Sequence, residues 1–212
     1  MFQEKGKTWP HCILLIPFET GMRNAAKVIP QHYTYGDYRN WPNDQRWELI
    51  EGAAYAMTAP LRIHQRFVGK LNTKIDNYLT AKQHGCQVYP APFDVRLPKG
   101  DEADDDIETS VEPDISIICD SSKLDKYGCR GAPDWIIEVL SPSTLLRDQR
   151  TKRDLYQRHH IKEYWIVHPT DRTVTIYVLE NGKYGLPRIY DMEKPTASIL
   201  FPDLSINWLE IE

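Results

Sequence analysis

The sequence predicts a mixed α/β fold with an α+β-like core, and three observations point there. Short runs rich in β-branched and aromatic residues alternate apolar with polar positions. Two amphipathic helical stretches, 62–80 and 144–160, interrupt those runs instead of alternating with each of them, as repeated βαβ units would require. Glu51-Gly52 and Asn181-Gly182 mark hairpin turns between successive runs.

Residues 1–21 differ in character from the rest of the chain, and Met22 opens "MRNAAKVIPQHYTYGDY". Residues 1–30 therefore read as an N-terminal extension or arm, with Met22 an alternative start, and 31–212 as a single domain. In "RWELIEGAAYAM", Trp47 and Leu49 alternate with Glu48 and Ile50, giving an N-terminal β-hairpin. Ile63, Phe67, Leu71, Ile75 and Tyr78 form one stripe of a helix over 62–80, entered after Pro60. "QVYPAPFDVRLP" reads as a strand broken or edge-like at Pro90 and Pro92. Strands over 111–119 and 134–140 come next, then the helix 144–160 and strands in "KEYWIVHP" and "TVTIYVLENGKY". The tail "ILFPDLSINWLEIE" gives a last strand or short helix.

Composition bounds the function. At 212 residues, 41% of them hydrophobic and 26% charged, the chain has the balance of a soluble globular domain. Its apolar runs fall short of the ~20 residues of a membrane helix, and "CILLIP" lacks the flanks of a signal peptide. A cytoplasmic protein with no membrane partner is expected. Cys12, Cys86, Cys119 and Cys129 show no metal-site spacing and read as free thiols. A net charge of −4 argues against general coating of nucleic acid but leaves room for a local basic strip.

Buried charge is the strongest functional signal. Asp114 in "VEPDISIICD" and Glu138 in "PDWIIEVL" stand in apolar runs that read as buried strands. An unpaired buried carboxylate costs several kcal/mol, so two of them need a common partner. Asp134 and Glu138 share a strand face but sit ~13 Å apart, too far to bind one cation. Asp114 and Glu138 lie on successive strands that can be antiparallel neighbours, so they form the working pair. On helix 144–160, Leu145, Asp148, Lys152, Leu155 and Tyr156 fall within one inward stripe of ~100°, with Lys152 near its centre. A divalent metal held by the carboxylates, with Lys152 facing it, accounts for all three and suits phosphodiester hydrolysis.

The strings "WELIEGAAYAM", "RIHQR", "APFDVRL", "EPDISIICD", "GAPDWIIEVLSPST", the "RD…K…Y" helix and "KEYWIV", in that order, resemble the Uma family, a restriction-endonuclease-like branch of the PD-(D/E)XK nuclease superfamily. The resemblance covers about residues 35–210 and implies a central mixed β-sheet flanked by helices. It makes Asp114 the Asp of the PD element and Glu138 the acid of the (D/E)XK element. It also implies that the backbone carbonyl of Val139 completes the metal shell. The usual Lys position is Leu140, so Lys152 on the following helix is the expected replacement. Ala53 stands where many relatives have Glu, and His168 where Asp is common. Glu48 is then the hairpin's remaining candidate.

The expected activity is a Mg²⁺-dependent, endonuclease-like phosphodiesterase acting on DNA, with Mn²⁺ able to substitute. Asp114, Glu138 and Lys152 are its catalytic residues, and Asp114, Glu138 and Val139 its metal ligands. Glu48 and His64 are supporting candidates, and Arg150 and Arg153 candidate phosphate contacts. A homodimer would suit double-strand cleavage. The alternatives are a catalytically inactive nucleic-acid or protein interaction module on the same scaffold and, more weakly, a hydrolase of a small phosphoester. The run 101–108 lacks the spacing of a calcium loop and reads as solvated. "SPST" (141–144) reads as a helix N-cap, not as a nucleophile.

Overall fold

A computed structural model describes residues 31–42, 45–140 and 147–211, and for Arg147, Asp148 and Gln149 the backbone alone. The arm 1–30, the "SPST" cap and the side chains of Leu145 and Asp148 lie outside the described residues. The chain runs through α1 (Tyr35–Tyr38), β1 (Trp47–Ile50), β2 (Ala53–Ala56), α2 (Arg62–Lys82), β3 (Gln87–Pro90), β4 (Asp94–Arg96) and β5 (Ser110–Val111). Then come β6 (Ile115–Ile118), β7 (Leu124–Asp125), β8 (Gly128–Arg130), β9 (Trp135–Val139), α3 (Arg147–Arg158) and β10 (Glu163–His168). The last elements are β11 (Thr173–Glu180), β12 (Lys183–Tyr184), β13 (Arg188–Asp191), β14 (Thr196–Ala197) and β15 (Ser205–Ile206), with short 3₁₀ turns at 104–106, 121–123 and 208–210.

The chain divides into two compact units, the first holding residues up to Thr58 together with Pro98–Val111. Here the expected hairpin forms: β1 and β2 pair from Trp47↔Ala56 to Ile50↔Ala53, and β1 also pairs with β5 at Leu49↔Ser110. Thr34 and Asp37 close a capping box on α1, satisfying orphan N–H groups at its start. The acidic run is not simply a solvated loop. Glu102 accepts from the Lys99 and Gly100 N–H groups, Arg39 pairs with Asp105, and Glu108 sits between His32 Nε2 (2.7 Å) and Lys99 Nζ (2.6 Å). A carboxylate-rich string needs such local donors to close into a turn, and sequence spacing did not reveal them.

The second unit, Ala59–Leu97 with Glu112–Glu212, is built on a seven-stranded sheet in the order β12-β11-β10-β9-β6-β3, with β13 also on β11. Only β9 and β10 run parallel within it, joined through α3 as a single βαβ unit; the sheet is mixed, as expected. β9 is buried along its whole length. Trp135, Ile137 and Val139 join Ile115, Ile117, Trp165 and Val167 in a core closed by α2. The alternate positions Ile136 and Glu138 point to the other face. The α2 stripe is Phe67, Val68, Leu71, Ile75 and Leu79, with His64 at its start; Ile63 lies outside it, 37% exposed.

The stretch "QVYPAPFDVRLP" splits into β3 and β4 at the prolines, which lack the N–H a continuous strand needs. β4 pairs in parallel with β8, and Gly128 is required there. Its φ is +132°, and a Cβ would meet the Asp94 carbonyl oxygen at 2.3 Å. The free-thiol reading is corrected for Cys86 and Cys119, which form a disulfide. They flank the Gln87↔Ile118 pair of antiparallel β3 and β6, which sets them opposite each other. A separation of 33 residues carries no trace of that register. Cys129 is free and buried. The tail supplies both expected alternatives, strand β15 and the 3₁₀ turn 208–210.

Candidate active site

β6 and β9 are antiparallel with Ile115↔Ile137 in register, so one step further places position 114 opposite 138. The register therefore sets the two acid positions at the same end of the strand pair. Asp114 is fixed through Oδ2, which accepts the Val139 N–H at 2.7 Å and shares a hydrogen bond with His64 Nε2 at 3.0 Å. His64 stands in the first turn of α2, which thereby anchors the head of β6. The Val139 atom in contact is its N–H; a ligand role for its carbonyl stays an implication of the family pattern.

Glu138 is 7% exposed and is met from α3. Lys152 Nζ donates to its Oε1 at 3.0 Å and the Tyr156 hydroxyl donates to the same oxygen at 2.7 Å. One helical turn separates the two donors, so both reach the same strand position. Tyr164, from β10, packs edge-on against Tyr156 with centroids 4.9 Å apart. Burial, and then the Glu138 charge, hold the Tyr164 phenol well above its ordinary pKa. The Glu138–Lys152 pair is thus walled by aromatic rings, where charges act on each other more strongly than in water. Breaking such a pair by removing one partner costs about 3–5 kcal/mol.

Position 140 is Leu, and its N–H donates to the Val167 carbonyl at 2.8 Å, continuing the β9–β10 ladder. The cation beside Glu138 comes from α3 instead. Asp134, set aside on distance, is held by the Cys119 N–H at 2.8 Å and Lys162 at 2.6 Å. Glu48 is buried on β1 in the first unit, opposite Tyr55. Arg150 is exposed, while the Arg153 guanidinium donates to Asp154. Among the described residues, no three His, Cys, Asp or Glu side chains gather as a ready-made metal cage.

Sequence reasoning placed Tyr156 on the inward stripe without giving it a task; its four-residue spacing from Lys152 was the available signal. Glu112, 4% exposed and two positions before Asp114, and Glu163, fully buried on β10, were passed over.

A protein-family model described as "Putative restriction endonuclease" (Uma2) matches residues 35–209. The chain belongs to the Uma2 family. A relative in Synechocystis sp., the uncharacterized protein slr1290, is 25% identical over 144 residues, which is 66% of this chain and 71% of that one. The Uma2 chain also resembles the crystal structure of a "putative nuclease belonging to DUF820" from Anabaena variabilis. The TM-score is 0.66 at 18% identity, over 84% of this chain and 96% of the other, a likeness that shows the fold.

Proposed function

We propose that this Uma2 protein is a Mg²⁺-dependent endonuclease-like phosphodiesterase acting on DNA, with Asp114, Glu138 and Lys152 as its catalytic residues. The observation that carries the reading is the buried Glu138–Lys152 pair beside Asp114 on the neighbouring strand. Two carboxylates are a sparse donor set. They suit Mg²⁺ or Mn²⁺, which bind through one or two carboxylates and keep several waters, better than a metal needing a full protein cage. Asp114 and Glu138 would hold the ion, joined in the family pattern by the Val139 carbonyl. When bound, the ion supplies charge neutralisation at the phosphate and a water of lowered pKa.

The chain's own groups do the rest. His64 and the Val139 N–H hold the Asp114 carboxylate in place, and Tyr156 fixes Glu138 from α3. Lys152 brings a positive charge to the point where negative charge develops on the phosphate oxygens. Arg150 and Arg153 are proposed as phosphate contacts, Arg153 on leaving Asp154.

Plasmid nicking in Mn²⁺ tests the proposal, with Asp114→Asn, Glu138→Gln and Lys152→Met compared at equal folded content by circular dichroism. Each should lose about 100-fold or more in rate, and the Asp114 variant should bind Mn²⁺ more weakly by calorimetry. Equal nicking by all four proteins sinks the assignment. Firm DNA binding with no cleavage by the wild type would favour the interaction module.

A further inference from the structure

The solvent side of α2 is segregated from the chain's acidic balance. From Arg62 to Ile75 the helix contains no Asp or Glu, although the whole protein carries a net charge of −4. Arg62, Arg66 and Lys70 recur every four residues, about 6 Å apart along the axis, and all are exposed. Exposed Thr73 continues the same crest with a hydroxyl, and the exposed Asp76 ends it one turn later. The opposite face buries Phe67, Val68, Leu71, Ile75 and Leu79, so the fold itself fixes the basic crest outward. Lys74 turns to Glu210 at 2.7 Å, and Lys82 at the far end to Asp203 at 3.1 Å.

Gly69 lies on this crest, and among the described residues nothing stands within 4 Å of where its Cβ would be. A glycine inside a helix costs about 0.5–1 kcal/mol relative to alanine. No neighbour among the described residues asks for it. A bare backbone between basic side chains does serve a partner that must come close to the helix.

The helix also has a direction. Its first turn carries His64, hydrogen-bonded to Asp114, so the basic crest begins where the candidate site stands. We propose that the crest formed by Arg62, Arg66, Gly69 and Lys70 binds the phosphodiester backbone of duplex DNA and leads it to the Asp114 end of α2. The charge pattern selects this occupant. A row of cations with no acidic residue from Arg62 to Ile75 matches a polyanion of regularly spaced phosphates, whose binding is driven by counterion release. The proposal rests on the nuclease reading for the strand's destination, while the contact itself can be tested without cleavage.

The full-length protein is titrated into a fluorescein-labelled duplex in EDTA, and anisotropy is read across a salt series. Arg66→Ala and Lys70→Ala should each weaken binding several-fold and lower the log–log salt slope by about 1. Gly69→Glu places a carboxylate on the crest in open space, so it should fold normally and weaken binding by about tenfold or more. Lys82→Ala, which removes the same charge elsewhere on the helix, should change neither quantity. Unchanged affinity and slope in the crest variants, or an equal loss in Lys82→Ala, overturns the proposal. Wild-type turnover of bis(4-nitrophenyl) phosphate in Mn²⁺ reads the nuclease assignment separately. Its failure would remove that assignment and leave the crest to the binding data.

Discussion

A carboxylate taken out of water must have its charge answered, and Glu138 is answered on one oxygen by both an ammonium and a phenol. Asp134, four positions earlier on the same run, meets a backbone N–H and Lys162 instead. Two acids of one sequence string thus enter separate networks. Cys129 meets burial in the other way, by staying protonated. Burial pushes its thiol up to about 12, and its Sγ lies 3.4 Å from the Gly131 carbonyl oxygen. In the unfolded chain the thiol ionises near about 8.5. Between those values the unfolded state binds fewer protons than the folded one, so stability falls as pH rises through that window. Urea midpoints taken at stepped pH should drop more steeply for wild type than for Cys129→Ala, by up to about 1.4 kcal/mol per pH unit. Parallel curves would show that the thiol ionises as readily folded as unfolded.

Among the elements, β10 does more than extend the sheet. Glu163, fully buried at its start, accepts from Trp165 Nε1 (2.6 Å), Ser198 Oγ (2.9 Å) and the Ile199 and Leu200 N–H groups (3.0 and 2.8 Å). It therefore pins the segment that delivers Phe201, Leu204 and Trp208 to the core beneath α2. Glu163→Ala leaves several buried donors unpaired and should cost about 3–5 kcal/mol in chemical denaturation, with faster amide exchange at Ile199 and Leu200. Glu163→Gln keeps the shape and should cost less; equal losses would mean that packing, not charge, is what the position supplies. The strands around this clamp were legible, because "WIIEVL" and "EYWIVH" are too apolar to lie anywhere but inside the sheet. So was the pairing that sets position 114 opposite position 138, since it needs only that successive strands be neighbours. The clamp was not legible: its partners at 198–200 lie 35 to 37 residues away, and no period within a strand encodes them. The α2 stripe was legible at Phe67, Leu71 and Ile75 but not at Val68 and Leu79, which are buried, nor at Ile63, which is exposed, because one position of phase decides between core and solvent.

Over the whole molecule, the chain leaves the second unit after Leu97, contributes 98–111 to the first, and returns at Glu112. β3, which precedes this excursion with β4 between, and β6, which follows it, are the strands Cys86 and Cys119 tie together. The bridge spans 33 residues, and removing that loop-closure entropy from the unfolded chain is worth about 3–4 kcal/mol. β6 also carries Asp114 at its head, so the bond braces the strand that delivers the first carboxylate of the site. Reduction should lower the thermal midpoint by about 10 °C, given about 2–4 °C per kcal/mol for a chain of this size. The Cys86→Ser/Cys119→Ser variant should start near that lower midpoint and ignore dithiothreitol. Mass spectrometry supplies the direct check: the tryptic peptides bearing Cys86 and Cys119 should run as one linked species until reduced. A folded protein in which both thiols alkylate without reductant would remove the bridge and restore the free-thiol reading of the sequence.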